Sequence, residues 1–219
     1  MAYRSTEKTR KKKDVKRTAM MQAAIRVFAE KGYHAATVRD VVDAADVAIG
    51  TFYFYFPDKE TLFVHLFDET AAFLLKTLQQ ALASRPALPQ RIEAAVQAYL
   101  NVALFEPAVV QLLLVNGPGS VPALAERQAD FRQKMVRLWQ RPLAESAERG
   151  QLASQNVRRT AEALVGAIDE VIYNVLISPN PEHEAPTALR DTVHFALRAT
   201  GYHESLSTVT DPSALARAV

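Results

Sequence analysis

The sequence predicts an all-α fold in two parts, a small three-helix head near the N-terminus and a larger helical body behind it. Three observations carry this expectation. Apolar residues recur at three- and four-residue intervals along almost the whole chain, and strand-type alternation over more than a few residues is absent. Ala, Leu, Arg, Glu and Gln dominate the segments between Gly and Pro punctuation. The 219 residues, 49% hydrophobic and 23% charged, are enough to bury a proper core.

From about Lys16 to Lys31, Met21, Ala24, Ile25, Phe28 and Ala29 follow the i, i+3, i+4, i+7, i+8 spacing of one buried helical face. Gly32 is placed to end that helix with a left-handed residue. Thr37, followed three residues later by the carboxylate of Asp40, is an N-cap and opens a short helix to about Ala45, with Val38, Val41, Val42 and Ala45 in helical register. Asp46-Val47 breaks that register, and a second short segment, 48–56, follows at once. Two short helices behind a longer supporting one outline a helix-turn-helix head. Pro57 and Asp58 start a long amphipathic helix to about Ala83, with Asp58 as N-cap and Leu62, Phe63, Leu66, Phe67, Phe73, Leu74 and Leu78 on its apolar side. Later helices are expected at 89–105, 107–115, 121–149, 156–177 and 186–200, separated by Glu106-Pro107, Asn116-Gly117-Pro118-Gly119, Gly150 and Ser178-Pro179-Asn180-Pro181. Pro142 should kink or split the helix over 121–149. After Gly201 the chain turns polar and weakly patterned, and a mobile tail is expected there.

A formal net charge of +2 argues at first against a polyanionic partner, but the charge is unevenly spread. Residues 1–17 hold eight basic groups (Arg4, Lys8, Arg10, Lys11, Lys12, Lys13, Lys16, Arg17) against Glu7 and Asp14. The first 60 residues carry +4 and the remainder −2, the pattern of a basic head on a neutral body. The bland alternative for the first dozen residues is a solvated, disordered tail. Zero cysteines exclude disulfide scaffolds, Cys-based zinc sites, iron–sulfur clusters and cysteine nucleophiles. No signal-peptide core and no membrane-length apolar run appears, so a soluble cytoplasmic protein with no membrane association is expected. The five histidines show no metal spacing, no Gly-rich phosphate loop or Ser/His/Asp grouping is present, and no cofactor is implied.

Between Ala23 and Leu62 the chain carries Phe28, Gly32-Tyr33, Thr37-Val38-Arg39-Asp40-Val41 and the run Gly50-Thr51-Phe52-Tyr53-Phe54-Tyr55-Phe56-Pro57-Asp58-Lys59-Glu60-Thr61-Leu62. This stretch closely resembles the DNA-binding head of the tetracycline-repressor (TetR) family of bacterial regulators. The later helices resemble the family only in number and length. The resemblance implies double-stranded operator DNA as partner and a body that binds a small-molecule effector and dimerises. It suggests a division into a basic arm at 1–15, a helix-turn-helix domain at 16–60, an effector-binding and dimerisation domain at 61–201 and a flexible tail at 202–219.

The residues fit that reading on physical grounds. Val47, Phe52 and Phe56 are able to anchor a recognition helix, while Ala48, Ile49, Gly50 and Thr51 keep its leading turn slim enough for a major groove. Five consecutive aromatics, Phe52 to Phe56, cannot all be buried on one short helix. Tyr53 and Tyr55 have hydroxyls able to donate to phosphate oxygens, as the matching family positions do, and Phe54 lies against sugars or a thymine methyl or flanks the groove. Lys59, in the first turn of the long helix, is expected to clamp a phosphate together with free backbone amides, against the alternative of an ordinary surface lysine. Thr37 serves first as N-cap, and in the family this hydroxyl also reaches phosphate. Arg39 is the candidate base reader, its alternative being an i, i+4 pair with Asp43. Two departures from the family pattern stand out: Asp46 where glycine is usual in the turn, and Ala48 where Ser or Thr usually caps the recognition helix. The basic arm is expected to add nonspecific backbone or minor-groove contacts.

In the body, the resemblance implies that the last two long helices pair with a second chain. Ala161, Leu164, Val165, Ile168, Ile172, Val175 and Leu176 form one apolar face, and Ala188, Leu189, Thr192, Val193, Ala196 and Leu197 another. Either face serves equally well as intrachain core. Asp169 is a carboxylate on an apolar face, costly to bury unpaired. With Tyr173 and Asn174 it is expected to point into an effector cavity shared with Phe67, Tyr99, Phe105 and Trp139, suited to an apolar or aromatic molecule. The alternative makes Asp169 a local cap and the aromatics plain core. The function expected is a repressor released from a palindromic operator by its ligand. An activator, an architectural DNA-binding protein without effector and a helical-bundle enzyme acting on an apolar substrate are the alternatives.

Overall fold

The computed structural model describes the backbone of residues 7–114 and 121–203, with side chains described from Val15 onward. Residues 1–6 and the side chains of 7–14 in the basic arm, the separator Asn116-Gly117-Pro118-Gly119 and the tail beyond His203 therefore lie outside the described residues. The described residues are all helical or connecting: α1 (Glu7–Ala35), α2 (Val38–Ala44), α3 (Ile49–Tyr55), α4 (Lys59–Ala83), α5 (Leu88–Phe105), α6 (Pro107–Leu114), a 3-10 turn at Pro122–Leu124, α7 (Ala125–Glu148), α8 (Val157–Ile177) and α9 (Pro181–Ala199). The all-α expectation holds.

Residues 7–35 show why the periodicity located the core of α1 but not its ends. Met20, Met21, Ala23, Ala24, Val27 and Phe28 are buried, so the face is broader than a single stripe. The helix starts at Glu7, nine residues before the expected Lys16, because the basic run 8–13 offers no apolar period to read. At Gly32 the backbone takes φ 73°, ψ 159°, a kink that a side chain would resist, and one further turn leads to Ala35.

The body is built around α5. Its Ile92, Ala95, Val96, Tyr99, Leu100 and Ala103 are all buried, and it packs against α4, α6, α7, α8 and α9. Helices α5 and α6 meet at a bend of 109° at Glu106. Among the described residues no single helix is long and apolar enough to cross a membrane.

Two prolines stand inside helices. Pro142 is buried inside α7, which continues through it without splitting. Helix α9 begins at Pro181 rather than at 186, with Asn180 at its N-cap position and Pro186 in its second turn. Proline at a first helical position removes only an amide that had no partner, so Pro181 opens the helix instead of separating it. The apolar face of α8 (Ala161, Leu164, Val165, Ile168, Ile172, Val175) is buried within this one chain, which decides for intrachain core in that case. On α9 only Ala185, Thr192 and Ala196 are buried, and Ala188, Leu189, Val193 and Leu197 remain partly exposed.

Candidate nucleic-acid interface and ligand cleft

The head is pinned by short-range polar bonds over an aromatic core. The Thr37 hydroxyl accepts from the Asp40 amide at 3.1 Å, and the Asp40 carboxylate accepts from the Thr37 amide at 2.9 Å and its hydroxyl at 2.8 Å, a complete capping box on α2. Lys31 Nζ donates to the other Asp40 oxygen at 2.8 Å. These contacts, the lysine first, hold the Asp40 carboxyl down to about 2. Their stabilisation is therefore present above the usual carboxylate range and is lost as pH falls towards 2. Phe52 and Phe56 are fully buried, with Val47 half-buried beside them. The exposed face of α3 is formed by Ile49, Gly50, Tyr53 and Phe54, at 48% exposure for Ile49, 54% for Tyr53 and 64% for Phe54. Thr51 and Tyr55 are half-buried. Arg39 is exposed on α2 and forms no ion pair with Asp43 among the described residues, whereas Arg17 pairs with Glu69 at 2.9 Å.

The turn between α2 and α3 accommodates both departures. Asp46 sits at φ 52°, the left-handed conformation that glycine adopts at least cost. Ala48 occupies the N-cap of α3 with no side-chain bond to the helix. Ala48→Ser is accordingly expected to stabilise the head by about 1 kcal/mol, read as a rise in its denaturation midpoint. An unchanged midpoint would show that another contact already orders the start of α3.

Lys59, expected at a phosphate, reaches back to the end of α1. Its ammonium donates to the carbonyls of Tyr33 at 2.7 Å and Ala36 at 2.9 Å, lies 3.5 Å from that of His34, and stands 4.3 Å from the centre of the Tyr33 ring. The charge closes the carbonyl end of α1, where a cation is favoured by the helix dipole. Tyr33 in turn packs on Phe63 at 4.7 Å, and Phe63 on Phe28 at 5.0 Å. Lys59 thus ties the start of α4 to the end of α1.

In the body, a cleft of about 580 Å³ opens between α4, α6, α7 and α8. Phe67, Leu113, Leu114, Phe131, Met135 and Val165 give it apolar walls, and Gln128, Arg132, Asp169, Glu170 and Tyr173 supply polar groups. Asp169 Oδ1 accepts from the Tyr99 hydroxyl at 3.1 Å, and Arg132 Nη1 stands 3.6 Å from Oδ2. Burial pushes the Asp169 carboxyl up to about 6 against the opposing effects of the Tyr99 hydrogen bond and Arg132. Gln128 Nε2 is buried without an acceptor among the described residues.

Of the seven cleft candidates, Phe67, Asp169 and Tyr173 line the cleft and Tyr99 supports Asp169 from behind. Trp139 is buried one turn beyond Met135, outside the lining, and its Nε1 has no acceptor among the described residues. Phe105 is not among the residues lining this cleft: it is 83% exposed at the last residue of α5, where the bend into α6 turns it out of the core. Asn174 also lies outside the lining, exposed and donating to the Glu170 carbonyl one turn back. Sequence reasoning missed Gln128, Phe131, Arg132 and Met135, which form an i, i+3, i+4, i+7 stripe on α7. The available signal was a glutamine and an arginine sharing a face with Phe131 and Met135.

Residues 20–66 match the profile of bacterial regulatory proteins of the tetR family, and residues 89–197 match that of the tetracyclin repressor-like C-terminal domain. The chain belongs to the TetR family. A fatty acid metabolism regulator protein of Bacillus subtilis is 22% identical over 163 residues, covering 74% of this chain and 84% of the relative. A tetR-family regulatory protein from Rhodococcus superposes with a TM-score of 0.74 at 24% identity, covering 86% of this chain and 98% of that one. The regulator FadR from Bacillus subtilis, solved in complex with stearoyl-CoA, gives 0.70 at 19% identity over 85% and 99% of the two chains. As a TetR regulator the protein is a DNA-binding regulator with a ligand-binding C-terminal domain, and TetR regulators are not enzymes. Among the described residues no His, Asp or Glu cluster suits a metal ion.

Proposed function

We propose that this chain is a dimeric repressor that grips a palindromic operator through Thr37, Arg39, Ile49, Gly50, Thr51, Tyr53, Phe54 and Tyr55, and releases it when an amphiphile with a long apolar chain and an anionic head enters the cleft. The supporting observation is that cleft and head share helices. Helix α4 starts against the end of α1 through Lys59 and walls the cleft about two turns further on with Phe67. Helix α6 lines the cleft with Leu113 and Leu114 and packs against α1 of the head. A ligand that fits only when α6 and α4 shift favours that conformation of the head by mass action.

The ligand class rests on the cleft's chemistry and on likeness to fatty-acid regulators. An apolar channel takes an acyl chain, the unpaired Gln128 amide offers a donor to a carbonyl, and Arg132 borders an adjoining groove that also carries Arg137 and Arg158. Dimerisation through α8 and α9 suits their exposed Ile177 and Phe195 and the partly exposed Leu189 and Val193. Two-fold pairing sets the heads for half-sites about one helical turn, roughly 34 Å, apart. Lys59 acts as a positioning residue. Titrating a labelled operator complex with stearoyl-CoA is expected to raise the operator Kd at least about tenfold. Unchanged operator affinity at saturating stearoyl-CoA overturns this ligand assignment.

A further inference from the structure

We propose that the head identifies its operator through thymine methyl groups, with Ile49 as the principal reader and Arg39 fixing a guanine beside it. This rests on the regulator reading above and gives that DNA surface its base chemistry. From Val47 to Pro57 no residue carries a guanidinium, ammonium, carboxylate or carboxamide. These are the groups that make bidentate bonds to guanine, adenine or cytosine edges in the major groove. What α3 presents instead is the stripe Ile49, Gly50, Tyr53 and Phe54, on the side opposite the buried Phe52. The one base-edge feature of the major groove that an aliphatic side chain recognises is the C5 methyl of thymine.

Gly50 sharpens the argument. It lies in the first turn of α3, where glycine orders the backbone less well than alanine. A Cβ built there meets nothing within 4 Å, so packing within the chain does not require its absence. Bare backbone in the middle of the exposed stripe lets the groove floor approach closely enough for the neighbouring Ile49 to reach a methyl. Among the exposed charged side chains of α2 only Arg39 is basic, Asp43 being the other, so the guanine contact falls to Arg39.

The test begins with selection of binding sites from random duplex DNA by the full-length protein, followed by replacement of each consensus thymine with uracil, which removes the methyl and leaves pairing intact. A thymine recurring at the same position of both half-sites is expected, with about fourfold weaker binding per methyl removed and about fifteenfold for both. Ile49→Ala, its fold checked by circular dichroism, should bind thymine and uracil sites equally. Arg39→Ala should lose preference at one guanine while keeping the uracil penalty, and Gly50→Ala should fold at least as stably yet bind the selected site more weakly. A selected palindrome indifferent to uracil, or a uracil penalty that survives Ile49→Ala, overturns the inference alone. Selection of no sequence overturns the regulator reading along with it.

Discussion

Lys59→Met is expected to lower the stability of the head by about 2–4 kcal/mol and to weaken operator binding at least tenfold. The ammonium satisfies carbonyls of Tyr33 and Ala36 at the end of α1, and methionine fills its volume without a donor. The salt dependence of binding separates this role from phosphate clamping. A lysine neutralising one phosphate in each half-site would take nearly two units from the slope of log affinity against log salt when removed from both protomers, with little change in stability. A lysine that closes α1 leaves the slope unchanged and lowers the head's denaturation midpoint. A normal midpoint with a flattened slope would contradict the geometry and restore the clamp.

Asp169→Asn is expected to stabilise the protein by about 1–3 kcal/mol at pH 7.5 and to change little at pH 4. The wild-type carboxyl titrates at about 6 because burial disfavours its charge. A carboxyl whose folded value is raised contributes fully while protonated, below about pH 4. That contribution fades as pH rises through about 6 and does not return above it. Asparagine keeps an oxygen for the Tyr99 hydroxyl and has no charge to desolvate. The stability difference between the two proteins, from denaturant titrations across pH 4–8, should open between pH 4 and 6. A variant less stable at pH 7.5 would mean that Arg132 outweighs the desolvation of Asp169.

The head was legible in the sequence because its determinants are local. The capping box joins residues three apart, and the aromatic run has to divide between an anchored and an exposed side. Lys59 marks where that legibility ends, since its partners lie 23 to 26 residues earlier and only the meeting of α1 with α4 reveals them. The cleft was less legible for the same reason. Asp169 stands out in the sequence as a carboxylate on an apolar face, but the wall opposite comes from α7, and no periodicity says which helical faces will oppose each other. Phe105 shows the converse: its composition suited a cavity, and a bend at the next residue removed it.

In the proposed mechanism cleft and operator surface are coupled through α4 and α6, and coupling of binding equilibria is reciprocal. The measurement is the Kd of stearoyl-CoA for the protein alone and for the protein saturated with operator DNA, set beside the operator Kd with and without stearoyl-CoA. Operator is expected to weaken stearoyl-CoA binding by the same factor, at least about tenfold, by which stearoyl-CoA weakens operator binding. Stearoyl-CoA bound in the cleft with equal affinity in the presence and absence of operator would contradict it.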